Sequence, residues 1–169
     1  MRARTLNMEN EMTEIERLTD QLQRAFYADA WCGPSLLETL QGVDAARAAA
    51  RPLARAHSIW EIVLHLSGWK RTVHQRLEGQ PVRLPEEGDW PQMADTSEQS
   101  WQETLSRLKA RHDALMAAVR GVDDARLEDV LITESSRETG GGVSCYVTLH
   151  GAAQHDLYHG GQISLLKKG

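Results

Sequence analysis

The chain carries near its C-terminus the stretch His155-Asp156-Leu157-Tyr158-His159-Gly160-Gly161-Gln162-Ile163-Ser164-Leu165-Leu166. Its two histidines are four residues apart, so in an α-helix they lie on one side, about one turn apart. Ala152, Ile163 and Leu166 fall on the same stripe, and the imidazoles therefore point in the direction of the apolar side chains. Because a buried polar group without a partner is costly, this pair requires hydrogen-bond partners or a metal ion.

Apolar residues repeat at helical spacing in three further segments upstream of this helix. The first predicted helix is about five turns long. The second opens with Ser58-Ile59-Trp60-Glu61, a capping box in which a hydroxyl N-cap precedes a glutamate by three residues. The third ends at Gly121, a typical C-cap residue. The four predicted long helices are 12–26, 58–78, 95–120 and 144–167.

The connections between these helices differ greatly in length. The first contains two segments that predict short helices, at residues 35–40 and 44–51. The second, residues 82–94, is rich in proline and glycine and is long enough for a crossover. Residues 122–142 are irregular, with one short extended piece at 127–132. The pattern predicts an all-α protein, a four-helix bundle with a long crossover connection and short extra helices.

The composition limits the class of protein. The 169 residues predict one domain, with residues 1–10 flexible and residues 11–169 in the bundle. A net charge of -5 without a long basic run argues against nucleic-acid binding. No apolar run approaches the roughly 20 residues that span a bilayer, and no signal-peptide core is visible. Cys32 and Cys145 are too few for a disulfide scaffold. We therefore expect a soluble cytoplasmic protein with no nucleic-acid or membrane partner.

One of the seven histidines, on another helix, completes a candidate metal site. His65 borders the apolar stripe of the second long helix, so it can approach His155 and His159 from a separate element. Three neutral imidazoles plus water form a coordination shell with an open position, as in catalytic metal sites. His112 lies on the inner stripe of the third helix, and we interpret it as a core or pocket histidine, with a role beside the metal left open. The alternative for the pair, two core imidazoles hydrogen-bonded to neighbours, also stays open.

Other residues of these helices suggest supporting roles. Gln162 shares the histidine face, so its amide can orient a ligand or a bound water, and the alternative is a core-edge amide bonded to a neighbouring helix. Asp156 occupies the glutamate position of the His-Glu-x-x-His zinc-protease motif, but it is one methylene shorter and no further ligand follows. We expect a solvated carboxylate or a partner of a metal ligand there. Gly160-Gly161 costs about 1 kcal/mol per residue relative to alanine, which predicts tight packing or close approach of substrate. Trp60 and Trp69 are expected in the core or in a pocket wall.

The chain resembles the DinB-like superfamily of DNA-damage-inducible proteins. The similarity lies in Ser58-Ile59-Trp60-Glu61-x3-His65-Leu66, in His155-Asp156-x-Tyr158-His159-x-Gly161-Gln162-Ile163 and in the Gly88-Asp89-Trp90 loop. The resemblance covers residues 14–168 and implies a four-helix bundle of the DinB/YfiT type. It also implies a divalent metal ion (zinc, nickel or iron) held by the matching histidines, His65, His155 and His159.

The resemblance further implies metal-dependent chemistry on a small molecule. Characterised members include S-transferases that use bacillithiol, mycothiol or glutathione, and a maleylpyruvate isomerase, and many members are homodimers. We expect a metal-dependent enzyme of this kind, with a low-molecular-weight-thiol S-transferase as the leading hypothesis and a homodimer as the assembly. A metal-dependent hydrolase and a non-catalytic metal- or ligand-binding stress protein are the alternatives. No residue is assigned as a catalytic acid or base.

Overall fold

The computed structural model describes residues 12–131 and 142–169 of the chain. Four long helices dominate these residues, joined by two short helices, a 3-10 helix and two very short strands. The predicted flexible segment 1–10 lies outside the described residues, and the single domain over 11–169 stays a prediction. The helices are α1 (Glu14–Phe26), α2 (Leu36–Leu40), α3 (Ala45–Ala49), α4 (Ile59–Leu77), α5 (Glu98–Arg120) and α6 (Cys145–Leu166), with the 3-10 helix at Asp124–Arg126.

A hydroxyl side chain begins each of the four long helices. Thr13, Ser58, Ser97 and Ser144 each accept a hydrogen bond from the backbone N–H three residues later. At Ser58 the predicted capping box is complete, since the Glu61 carboxylate accepts a hydrogen bond of 2.8 Å from the Ser58 backbone N–H. These caps satisfy backbone N–H groups that would otherwise lack partners at the helix start.

The helix α1 is shorter than predicted. Its 13 residues form between three and four turns, whereas apolar spacing indicated about five turns. The reason is the Thr13 cap, which starts the helix at Glu14 and leaves the Met12 side chain 50 % exposed. The other long helices and both short helices form where predicted, and the all-α bundle is confirmed.

The four long helices pack in a ring. The helix α4 packs against α5 and α6, and α1 packs against the same two helices. It follows that α1 and α4 face each other across the bundle, and the connection that contains α2 and α3 crosses one end of it. The connection between α4 and α5 is long enough for a crossover, but it joins two helices that are direct neighbours.

Two apolar clusters fill the bundle, and a layer of polar side chains lies between them. On α4, Leu66 belongs to one cluster and Val73 to the other. On α5, Leu108 and Leu115 are divided in the same way. Between these levels the helices contribute three buried polar side chains, which we call the polar layer: Lys70, His112 and Asp156.

A short antiparallel ladder precedes α6. The strand β1 (Val130–Leu131) pairs with β2 (Val143–Ser144), with Val130 opposite Ser144. The predicted extended piece is therefore present at Val130, whereas its end at Ile132 lies outside the described residues, and β2 was not predicted. Among the helices of the described residues, none is both long and apolar enough to cross a bilayer.

Candidate metal centre

Three histidines from two helices converge on one point between α4 and α6. His155 Nε2 lies 2.9 Å from His65 Nε2 and 3.0 Å from His159 Nε2. The ring planes are inclined at 66°, 69° and 78° to one another, so the rings surround a common point and do not stack. Nitrogen ligands about 2.0–2.1 Å from one ion lie about 3 Å from each other. The three histidines, with one ring nitrogen each inside 4.8 Å of the others, therefore indicate a metal site.

Hydrogen bonds at the opposite ring nitrogens turn lone pairs toward this point. His65 Nδ1 donates to the backbone carbonyl of Asp89 at 2.7 Å, and His159 Nδ1 donates to Gln162 Oε1 at 2.6 Å. A neutral imidazole carries one proton, so Nε2 of both rings is an acceptor. A proton on His155 Nε2 satisfies one of these lone pairs but not both, whereas a cation satisfies all three nitrogens. The donor set therefore fits a divalent metal ion.

Burial keeps the three imidazoles neutral. His65 is 6 % exposed and His159 is 4 % exposed. Desolvation lowers the pKa of all three rings, to about 3 for His155. The neutral ring is the form that binds a metal ion. The convergence of the three rings is a feature of the structure, and their role as metal ligands stays a prediction.

The loop that precedes α5 holds the His65 ring in place. Trp90 stacks on this ring, with centroids 4.1 Å apart and planes 9° apart. Asp89 accepts from His65 through its backbone carbonyl and from Trp69 Nε1, at 2.8 Å, through its carboxylate. Gly88 has a φ of +88°, a backbone conformation that favours glycine. The sequence identified this loop only through the family resemblance, because helical spacing gives no information about the path of a loop.

A buried ion pair adjoins the cluster and corrects the expectation for Asp156. Lys70 Nζ donates to the two carboxylate oxygens of Asp156 at 2.7 and 2.8 Å. The Lys70 and Asp156 side chains are 5 % and 1 % exposed. Desolvation lowers the pKa of Lys70 and raises that of Asp156, while their mutual attraction opposes both shifts. The solvated carboxylate was a wrong expectation, because Lys70 on the facing helix compensates the buried charge.

His112 is a core residue, as we interpreted it from the sequence. Its ring is fully buried, and Phe26 stacks on it with centroids 3.7 Å apart. Its Nδ1 accepts a hydrogen bond of 3.2 Å from Lys70. Burial lowers the pKa of His112 to about 2, so the ring is neutral. It belongs to the polar layer and not to the cluster of three histidines.

Two cavities border the histidine cluster. One has a volume of about 350 Å³ and is lined by His155 and Trp69, among others. The other, also about 350 Å³, is lined by His159 and Trp90. Volumes of this size suit small-molecule ligands. Trp69 is thus part of a pocket wall, whereas Trp60 is 2 % exposed in the core and borders a different cavity.

Two residues near the start of α4 contribute to the surroundings of the site. Glu61 caps the helix and pairs with Arg51. Burial alone would raise the pKa of Glu61, but hydrogen bonds from Ser58 and the charge of Arg51 outweigh it, and the net pKa is lowered. The His57 ring stacks on Trp90 with centroids 3.6 Å apart. Trp90 is therefore held between His57 and the His65 ring.

The prediction of tight packing at the two glycines of α6 is wrong at Gly161. A Cβ atom at Gly161 would meet nothing within 4 Å. At Gly160 the nearest atom would be Thr39 Oγ1 at 3.9 Å, which is an ordinary contact. The amide oxygen of Gln162 accepts a hydrogen bond from the His159 ring, and the role of Gln162 in orienting a metal ligand stays a prediction.

Comparison with known proteins agrees with this fold. The sequence matches the DinB superfamily over residues 29–163, a range that includes His65, His155 and His159. The structure is similar to the crystal structure of a conserved protein from Enterococcus faecalis, with a TM-score of 0.67 over 94% of this chain and 97% of that chain. The identity is 16%, so this likeness concerns the fold alone. No curated protein matches the sequence. Because the family match covers most of its length, the chain belongs to the DinB superfamily.

Proposed function

We propose that this protein binds one divalent metal ion through His65, His155 and His159 and acts as a metal-dependent enzyme on a small molecule. The main support is the convergence of three neutral Nε2 atoms, two of which are held as acceptors by Asp89 and Gln162. Two cavities beside the cluster leave room for a small molecule. Membership in the DinB superfamily supports the same conclusion.

The surrounding residues would hold the ligand rings in the required orientation. Asp89 and Gln162 each fix one imidazole through its Nδ1 hydrogen, and Trp90 restricts rotation of the His65 ring. With three neutral ligands, a bound divalent cation keeps its full charge and favours deprotonation of a thiol or a water in its open coordination position. The residues Asp89, Gln162 and Trp90 therefore act on affinity and orientation, not on the reaction itself.

The leading candidate reaction is S-transfer, in which a low-molecular-weight thiol loses its proton, its sulfur bonds to the electrophilic carbon of an acceptor and the acceptor releases its leaving group, such as the halide of an aromatic halide. The resemblance to thiol-dependent members of the superfamily supports it. A metal-dependent hydrolase uses the same open position for water and is the alternative enzymatic reaction. The third candidate is a non-catalytic metal- or ligand-binding stress protein.

The family resemblance supports a proposal about assembly, and the composition of the chain supports one about partners and location. We expect a cytoplasmic homodimer that takes a small-molecule substrate and binds neither nucleic acid nor membrane. Sedimentation equilibrium of the purified chain tests the assembly, and a monomer at micromolar concentration would contradict it.

Metal analysis of the purified protein tests the ligand assignment. The wild type is expected to contain about one equivalent of zinc, nickel or iron, and His155→Ala is expected to contain none. His150→Ala is the matched control, because His150 is on the same helix but outside the histidine cluster. The absence of metal from wild-type protein that has been offered each of the three ions would refute the proposal.

A thiol panel then separates the candidate reactions. Metal-loaded protein is mixed with bacillithiol, mycothiol or glutathione and an electrophilic aromatic halide, and loss of free thiol is followed. Turnover that disappears in His155→Ala supports the transferase. Hydrolysis of ester substrates without thiol turnover favours the hydrolase, and metal binding without either activity favours the non-catalytic alternative.

A further inference from the structure

A cavity of about 350 Å³ opens between α4, α6 and the start of β2, beside the His155 ring. Trp69 and Val73 form its wall on α4, and Ala152 forms its wall on α6. Most of the lining is therefore apolar, as in typical small-molecule pockets. Three charged side chains also reach it: Lys70, Arg76 and Asp156.

The charges in this lining do not cancel. Lys70 and Asp156 neutralise each other in their buried ion pair. Arg76 lies at the same cavity, and within residues 12–131 and 142–169 no carboxylate forms an ion pair with it. Counted over the described residues alone, the lining thus carries two cations and one anion, a formal excess of one positive charge.

Backbone contacts hold the Arg76 guanidinium in place without neutralising it. Its Nε donates to the Val82 carbonyl at 2.8 Å, and its Nη2 donates to the Arg83 carbonyl at 2.7 Å. The Trp69 ring lies 5.4 Å from the guanidinium carbon, within the range of a cation–π contact. Partial burial lowers the pKa of Arg76. An anion that binds there would gain from the fixed, undercompensated charge.

We propose that this cavity binds an organic monoanion with an apolar body, such as an aryl-substituted carboxylic acid. The Arg76 guanidinium recognises the carboxylate, because its planar fork matches two oxygens. Trp69, Val73 and Ala152 accept the apolar body. The position beside His155 makes this anion the substrate or acceptor of the metal-dependent reaction, and that role rests on the proposed function above.

The test uses 3-phenylpropanoate as the probe and 3-phenylpropanamide, its neutral analogue, as the comparison. Binding of both to the full chain is measured by isothermal titration calorimetry, and the metal content of the same samples is determined. The carboxylate is expected to bind about tenfold or more tightly than the amide, because a hydrogen bond to a charged group contributes about 1.5–3 kcal/mol and 1.4 kcal/mol is tenfold. Arg76→Met is expected to remove this preference, while Arg76→Lys keeps part of it.

Two further variants keep the test decisive even if Arg76→Met does not fold. Ala152→Phe fills the cavity and is expected to weaken binding of the probe about tenfold or more while Arg76 stays in place. Arg120→Met removes one positive charge from an exposed position at the end of α5 and is expected to leave binding unchanged. Equal binding of acid and amide, or full binding in Ala152→Phe, would overturn the proposal.

The metal content distinguishes this inference from the proposed function. Probe binding that depends on Arg76 in protein that never takes up metal would support the anion pocket and refute the metal-dependent enzyme. One equivalent of metal without a preference for the carboxylate would support the metal site and overturn the anion pocket.

Discussion

Replacement of Lys70 by methionine removes the cation of a buried ion pair and leaves Asp156 without its charged partner. The carboxylate is 1 % exposed, and its two hydrogen bonds of 2.7 and 2.8 Å both come from the Lys70 ammonium. Methionine is similar in length to lysine, so the substitution leaves the volume of the polar layer nearly unchanged. The expected loss of stability is therefore mainly the cost of an unpaired buried charge.

The size of this cost follows from the depth of the pair. Removal of one partner of a buried ion pair costs about 3–5 kcal/mol, whereas replacement of both partners by apolar residues is close to neutral or stabilising. For a chain of this length, 1 kcal/mol corresponds to about 2–4 °C in Tm, so Lys70→Met is expected to lower Tm by about 10 °C. The double variant with Lys70→Met and Asp156→Leu is expected to recover part of that loss, and the buried His112 Nδ1 still lacks the hydrogen bond that Lys70 donated.

Urea unfolding of the wild type, both single variants and the double variant measures the coupling energy. Lys109→Met is the matched control, because Lys109 pairs with Asp113 at the surface, with both side chains about half exposed. This control is expected to unfold with little change in midpoint. A double variant as unstable as the sum of the two single variants would contradict the reasoning, and so would a Lys70→Met midpoint equal to that of Lys109→Met.

Three other substitutions test separate parts of the structure. The Glu61 pKa is lowered in the folded state, so Glu61→Gln is expected to reduce stability at neutral pH, and the difference from wild type should shrink as the pH falls below the ordinary value of 4.5 and vanish below the lowered pKa; a difference in thermal unfolding that stays constant throughout an acid titration would contradict the cap. Gln162→Leu removes the acceptor of the His159 ring and is expected to weaken metal binding about 10–100-fold in a chelator competition, with an unchanged circular dichroism spectrum; unchanged affinity would mean that the amide does not orient the ring. Gly161→Ala is expected to stabilise the chain by up to about 1 kcal/mol in urea unfolding, because the added methyl group meets open space; a loss of stability would instead reveal a close neighbour at this position, such as a second copy of the chain.

The long helices and the histidine pair could be predicted because both depend on helical geometry alone. Positions four residues apart share a side of any α-helix, so His155 and His159 had to be neighbours. The third histidine followed from its place beside the apolar stripe of α4. The distance of His65 from the other two histidines depends on how α4 packs against α6, and helical spacing in the sequence does not reveal that packing.

Part of the polar layer had a signal in the sequence that helical spacing could have revealed. Lys70 falls four residues after Leu66 and three before Val73, so it occupies an inner position of α4. Lysine is rarely buried without a partner, and its presence in that stripe predicts a carboxylate on a facing helix. The expectation of a solvated Asp156 was wrong because the inner position of Lys70 on one helix was not combined with the carboxylate on the facing helix.

The contribution of Asp89, Trp90 and Arg76 lay beyond prediction from spacing. Asp89 and Trp90 belong to a loop, and their contacts with His65 depend on how that loop returns to α4. Arg76 reaches its cavity from the last turn of α4, where an exposed arginine is the ordinary expectation. Sequence patterns identify which faces of helices are buried, but cavities arise where those faces fail to meet.

The three histidines are held by supports of unequal stiffness. His155 and His159 belong to a single helix, whereas the orientation of His65 depends on the irregular segment that supplies Asp89 and Trp90. Local opening of such a segment requires far less free energy than global unfolding. The residence time of a captured ion would then follow the frequency with which this segment detaches, and amide hydrogen exchange at Trp90 would report the same event.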